Sequence, residues 1–138
     1  MRYMFDTDTC ISLLDSREPD KQRNILRRLD KLQQSDIALS SITVSELMFG
    51  AENGLHRKTN IEALELFLLD FQVLPFDFAA ACEAGVVRAA LEKLGRRIGA
   101  MDTLIAGHAK VTGLIIVTNN VAHFGKVKGL KVENWSVK

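Results

Sequence analysis

Cysteine is nearly absent: Cys10 and Cys82 are the only two in 138 residues, too few and too far apart for a disulfide framework or a zinc site. No apolar run reaches the roughly 20 residues that a membrane span needs. With no signal-peptide pattern at the amino terminus either, a cytoplasmic protein with no membrane partner is expected. A charge excess is lacking too, since 18 Lys and Arg stand against 17 Asp and Glu for a net charge of +1; any surface for nucleic acid therefore has to be local. Repeats, low-complexity tracts and linker-like breaks are also missing. At 47% hydrophobic, the 138 residues predict a single domain, 1–138, with enough apolar material for a core.

What is present is an alternation of short apolar runs with helical patterns. "RYMFD" reads as a short buried strand, and "TDTCISLLD" turns straight into a helix with Thr7, Asp8 and Thr9 as candidate N-caps. After the breaker at Pro19, Ile25, Leu26, Leu29 and Leu32 recur at helical spacing. "DIALSS" predicts a strand, "TVSELMFGAEN" a helix ended near Gly54, "KTNIEALELFLLD" a helix, and "FQVLPF" a strand. "DFAAACEAGVVRAALEKLG" predicts a helix closed by Gly95, and "AMDTLIAGHAKVTG" one closed by Gly113. "LIIVTNN" is the most strand-like run, and "LKVENW" a last, edge strand. Helices between continuously apolar strands predict an α/β fold, with a largely parallel central sheet of about four to five short strands flanked by helices.

In such sheets the ligand crevice lies outside the carboxyl ends of the strands. Asp6 ends the first strand, Glu46 lies just past the second, and Asn119 and Asn120 end "LIIVTNN". Asp102 opens the preceding helix, whose start reaches the same edge if that helix crosses over antiparallel to the strands. Each acid also has an ordinary structural reading. Asp8 can cap the first helix, Asp102 can favour a helix amino terminus, and Glu46 falls off the apolar stripe of Val44, Leu47, Met48 and Ala51. Asp6 carries the strongest signal, because a carboxylate at the end of a buried strand is costly unless a cation or hydrogen bonds compensate it.

Two enzyme chemistries compete for these acids. "DTDTC" partly resembles the first motif of haloacid-dehalogenase-type phosphatases, which would make Asp6 a nucleophile and Asp8 a general acid, but no late paired-acid motif follows a strand. The other is a hard-cation site, in which acids drawn from distant parts of the chain hold Mg2+ or Mn2+ between protein and phosphate. A third reading is non-enzymatic: an α/β module whose acids bind a basic partner segment.

Taken together, "YMFDTDTCI", "SSITVSELMFGA", "RRIGAMDTLIAGHAKVTGLIIVTNN" and "GLKVENW" resemble the VapC-type toxins of the PIN-domain ribonuclease family, in order and over nearly the whole chain. The resemblance implies a PIN-like fold and an endoribonuclease dependent on Mg2+ or Mn2+, with Asp6, Glu46 and Asp102 as its acidic catalytic and metal site. Water is then the nucleophile, and no 2′-hydroxyl is required. It also implies a VapB-type antitoxin partner covering the groove, a toxin homodimer that forms a hetero-oligomer with it, and an RNA substrate. "IAGHA" and "VTNN" resemble the subgroup that cuts tRNA, the initiator tRNA anticodon loop in particular, and so inhibits translation.

The chain departs from the family pattern twice. Asn120 stands where many PIN domains carry a fourth acid, and Asp8 stands where the family normally has an amide. Asp8 is therefore either a further metal ligand or a cap. If residues 6–8 stay extended the two carboxylates share a face; if the helix starts at Thr7 they diverge. Thr7 and Thr118 are expected to hold carboxylates or a phosphate, or to serve turns. Arg96 and Arg97 are candidates to contact RNA or the antitoxin. His56, His108 and His123 lack metal-site spacing, with His108 expected to pack within its helix, and Cys10 is expected to fill core space.

Overall fold

The computed structural model describes residues 1–138. Strands β1 (Tyr3–Phe5), β2 (Ile37–Ser40), β3 (Gln72–Leu74), β4 (Ile115–Val117) and β5 (Val132–Glu133) form one sheet in the order β3-β2-β1-β4-β5. Every pairing is parallel. Between them run helices α1 (Thr7–Leu14), α2 (Pro19–Leu29), α3 (Ser41–Glu52), α4 (Arg57–Leu68), α5 (Phe78–Lys93), α6 (Ala100–Thr112) and α7 (Val121–Phe124). The expected α/β architecture is thus present, and the sheet is wholly parallel.

Both faces of the sheet are covered, which is why its central strands run apolar without alternation, Ser40 at the end of β2 excepted. Met4, Ala38 and Ile116 point to one side, into a core completed by Val87 and Leu91 of α5 and Ile105, Ala106 and Ala109 of α6. Tyr3, Phe5, Ile37, Leu39 and Val117 point to the other, against Cys10, Ile25, Leu47, Leu64 and Trp135. Cys10 is fully buried there, the space-filling role expected of it. On the first side α5 and α6 cross very closely. A Cβ built on Gly107 would lie 2.5 Å from Ala84 Cα, so only glycine permits that approach.

Several boundaries differ from the sequence expectation. Pro19 begins α2 rather than preceding it, because proline at the first helical position gives up an N–H that would have no intrahelical partner anyway. That helix stops at Leu29, so Leu32 packs against the core from beyond its end. The strand expected over 71–76 shortens to three residues. The four-residue α7 has no sequence counterpart, since four residues carry no readable period. Gly95 (φ 66°) and Gly113 (φ 72°) do close α5 and α6 in the left-handed region.

Candidate active site

The carboxyl ends of β1, β2 and β4 and the amino ends of α1, α3 and α6 lie at one edge of the sheet. Asp6 leaves β1 with its N–H donating to Val117 O at 3.1 Å, while its backbone is still extended (φ −79°, ψ 175°). Its Oδ1 accepts from Thr9 N at 2.9 Å and its Oδ2 from Thr118 Oγ1 at 2.5 Å. Thr118 Oγ1 in turn accepts from Asn120 N at 2.9 Å, and Thr9 Oγ1 donates to Val117 O at 2.9 Å. Asp6 is only 2% exposed. Burial pushes its carboxyl up to about 6, against the hydrogen bonds from Thr118 and Thr9 and with added repulsion from Asp8.

Glu46 and Asp102 complete the set from separate helices. Thr7 Oγ1 donates to Glu46 Oε1 at 2.5 Å across 39 positions of sequence, which fixes a carboxylate that the apolar stripe of α3 leaves free. Asp102, in the first turn of α6, is half-buried. Its carboxyl is raised by burial, opposed by His123, and raised further by the charges of Glu46 and Asp8. The acids from three parts of the chain are therefore close enough to repel one another. No group of three or more His, Cys, Asp or Glu side chains, however, is drawn together as a preformed metal shell.

The two threonines expected to hold carboxylates or phosphate, or to serve turns, both hold carboxylates. The capping expectation needs correction. The N-cap of α1 is Asp6, not Thr7, Asp8 or Thr9, because Thr7 is already helical and the last extended residue is the one whose side chain can reach the free N–H groups. Asp8 consequently sits exposed in the first turn, diverging from Asp6 yet adding its charge to both Asp6 and Asp102. Asn119 Nδ2 donates to Ser12 Oγ at 2.8 Å, leaving its buried Oδ1 without a partner. Arg96 and Arg97 lie exposed in the loop that delivers α6, with Arg97 3.8 Å from Glu92. His108 is buried in α6, as expected, with Nδ1 2.8 Å from Ser40 Oγ and its ring edge-on to Phe76.

One residue set aside on spacing grounds stands beside Asp102: His123, on α7, places Nδ1 3.7 Å from Asp102 Oδ2. No linear pattern reveals that pair, because 21 positions and the whole of β4 separate its members. The phosphatase reading fails on the same geometry. It pairs Asp6 with Asp8 as general acid, whereas Asp6 is buried as the N-cap of α1 and Asp8 lies exposed in that helix's first turn.

Comparison with known proteins identifies the family of this fold. The PIN domain family matches residues 3–130. The tRNA(fMet)-specific endonuclease VapC of Shigella flexneri is 39% identical over 136 residues, covering 99% of each chain. Ribonuclease VapC2 of Haemophilus influenzae (strain ATCC 51907 / DSM 11121 / KW20 / Rd) is 37% identical over 135 residues, covering 98% of each. Among solved structures, DNA-bound VapBC from Salmonella typhimurium superposes with a TM-score of 0.88 at 37% identity, over 98% of both chains. VapBC2 from Rickettsia felis, bound to a promoter DNA fragment, gives 0.86 at 34% identity over 98% of this chain and 99% of that one. With its five-stranded parallel sheet and acids gathered at the carboxyl edge, this chain belongs to the PIN-domain family and, within it, to the VapC ribonuclease toxins of VapBC toxin-antitoxin systems.

Proposed function

We propose that this toxin hydrolyses a phosphodiester bond of tRNA, the initiator tRNA anticodon loop in particular, with Mg2+ or Mn2+ held by Asp6, Glu46 and Asp102, and so inhibits translation. The observation that carries the reading is a carboxylate buried at the end of β1, Asp6, at the sheet edge where Asp102 also feels the charges of Glu46 and Asp8. Such a cluster is unfavourable alone and is relieved by a cation. The donors on these three residues are all oxygen. Their open arrangement suits magnesium, which keeps several waters and takes one or two carboxylates together with substrate phosphate rather than an all-protein cage.

When bound, the ion supplies Lewis acidity and offsets charge on the phosphate oxygens. The chain's own part is positioning. Thr118 and the Thr9 N–H fix both oxygens of Asp6, and Thr7 fixes Glu46. Arg96 and Arg97, the latter with its side chain 82% exposed, stand in the loop that leads into the helix of Asp102, and are the proposed contacts for a phosphate backbone. The tRNA substrate is supported by the names of the Shigella flexneri and Salmonella typhimurium relatives, each a tRNA(fMet)-specific endonuclease.

A VapB-type antitoxin is the proposed partner, as in the VapBC structures this chain resembles. A groove of about 450 Å3 beside Glu46, lined by Ile11, Leu14, Leu47, Ala51 and Leu64, gives an antitoxin segment an apolar seat from which to cover the acids. Exposed Phe78 and Val86 of α5 and Leu94 just beyond it support a toxin homodimer, which the antitoxin would join as a hetero-oligomer. No helix is long and apolar enough to cross a membrane; action in the cytoplasm is proposed with the tRNA substrate.

The test is cleavage of purified initiator and elongator tRNA by the free toxin in Mg2+, Mn2+ or EDTA, with and without its antitoxin. Cleavage of initiator tRNA that requires the ion and stops with antitoxin is expected. Undiminished cleavage in EDTA, with contaminating nuclease excluded, would remove the metal mechanism. Equal cleavage of all tRNAs would remove the initiator preference.

A further inference from the structure

His123 is held where it stands from both sides. The residue before α7, Asn120, donates its N–H to Thr118 Oγ1, the same hydroxyl that holds Asp6, and the residue after His123, Phe124, is fully buried. The imidazole so fixed is 42% exposed, yet its Nδ1 is buried and has no hydrogen-bond partner. What Nδ1 faces is Asp102 Oδ2, 3.7 Å away, beyond hydrogen-bond reach. Two donors bound to adjacent positions of one ion, each about 2.1 Å from it, lie roughly 3.0 to 3.4 Å apart. The Asp102–His123 separation of 3.7 Å is a few tenths of an ångström wider than that, a gap that a small rotation of either side chain closes.

We infer that His123 Nδ1 is a further ligand for the ion held by Asp102, which makes the site a mixed nitrogen and oxygen one and tilts its preference from Mg2+ toward Mn2+. The inference rests on the metal reading of the acids. Imidazole nitrogen suits transition-metal ions, whereas Mg2+ is satisfied by oxygen and gains little from nitrogen. His123 is thus a specificity-determining residue for the ion. The competing role, a protonated counter-ion to Asp102, has the opposite sign: removing a positive charge would strengthen cation binding.

The full-length toxin freed of antitoxin and loaded with Mn2+ decides the matter by pulsed electron paramagnetic resonance, which detects a directly bound 14N. A nitrogen coupling is expected in the wild-type protein and not in His123→Ala. In calorimetric titration of the substrate-free protein, His123→Ala should weaken Mn2+ binding by about tenfold or more while changing Mg2+ binding by about twofold or less. Should the variant fail to fold, the wild-type spectrum still decides. Mn2+ bound with oxygen donors only, or a folded His123→Ala that binds both ions as well or better, would overturn the ligand role and leave the acidic site standing. Failure of the wild-type protein to bind Mn2+ at all would instead remove the metal reading and this inference with it.

Discussion

Asp6 and His108 are both buried titratable groups at the carboxyl edge of the sheet, and each is held by a single side-chain hydroxyl from a neighbouring strand end. Thr118 Oγ1 donates to Asp6 at 2.5 Å, and Ser40 Oγ lies 2.8 Å from His108 Nδ1. Burial drives both toward neutrality, the acid up to about 6 and the imidazole down from 6.5. They differ in what surrounds them. His108 meets the edge of Phe76 and the modest pull of Asp77, whereas Asp6 lies beside Asp8 in a cleft where Glu46, Asp8 and Asp102 also repel one another. A buried, hydroxyl-bonded group is therefore not by itself a site. Like charge gathered around it, which folding alone does not need, is what sets the proposed metal site apart.

The largest expected effect separates the two at once. Asp6→Asn should abolish tRNA cleavage, by at least about a hundredfold. The displacement from 3.8 to about 6 is about 2 units, an upper bound of about 3 kcal/mol, so removing the charge should raise ion-free stability by about 1 to 2 kcal/mol once lost hydrogen-bond strength is counted. Asn retains the cap: its oxygen accepts from Thr9 N, and its amide donates to Thr118 Oγ1. Denaturant unfolding in EDTA checks the stability. Asp102→Asn should likewise be inactive, and no less stable.

A matched pair of hydroxyl deletions sharpens the contrast. Thr118→Val leaves Asp6 Oδ2 and Asn120 N without their partner, and Ser40→Ala removes both the cap of α3 and the partner of His108. Each should cost about 1 to 3 kcal/mol. Turnover should fall at least about tenfold for Thr118→Val and less than about threefold for Ser40→Ala, since only the first releases a carboxylate that is proposed to hold the ion. Equal losses of turnover at equal losses of stability would erase the distinction.

The pH dependence of ion-free stability follows with opposite signs. Asp6 has a raised carboxyl, so its contribution is fully present below 3.8 and is lost as pH rises through about 6. His108 has a lowered imidazole, so its contribution is present above 6.5 and is lost as pH falls through its folded value. Asp6→Asn should delete the first limb and leave a stability that depends less steeply on pH between 4 and 6. Chemical denaturation of both proteins across that interval reads the difference.

The smallest effect concerns Asp8. It caps nothing, so Asp8→Ala should change stability by no more than about 0.5 kcal/mol, the lost helix-end charge being offset by relieved repulsion. The Mg2+ concentration for half-maximal cleavage should rise by about two- to threefold as one nearby charge is lost. A tenfold rise would make Asp8 a ligand after all.

The strands around β1, the helix α6 with its closing Gly113, and the three acids at one edge were legible because each rests on local pattern: continuous apolar runs, helical spacing, and carboxylates placed just past strand ends. The cap of α1 was not, since four consecutive residues, Asp6 to Thr9, can all serve, and the choice depends on where the parallel ladder to Val117 lets go. Nor were the Thr7–Glu46 bond and the approach of His123 to Asp102, because both join residues from separate elements through tertiary packing alone. Spacing rules that discount an isolated histidine are sound for ligands supplied by one helix. They are blind to a short helix folded back on another's amino end.

The most direct test follows thermal stability and tRNA cleavage together while Mn2+ is titrated into wild-type protein and Asp6→Asn. If the buried charge of Asp6, with the acids beside it, is what the ion relieves, wild-type protein should start less stable than the variant, gain stability as Mn2+ is added, and acquire cleavage over the same concentration range. Asp6→Asn should start more stable, gain little and cleave nothing. A wild-type protein whose melting ignores Mn2+ while it cleaves tRNA in EDTA, or a folded Asp6→Asn that cleaves as wild type does, would contradict the acidic site as the seat of the reaction.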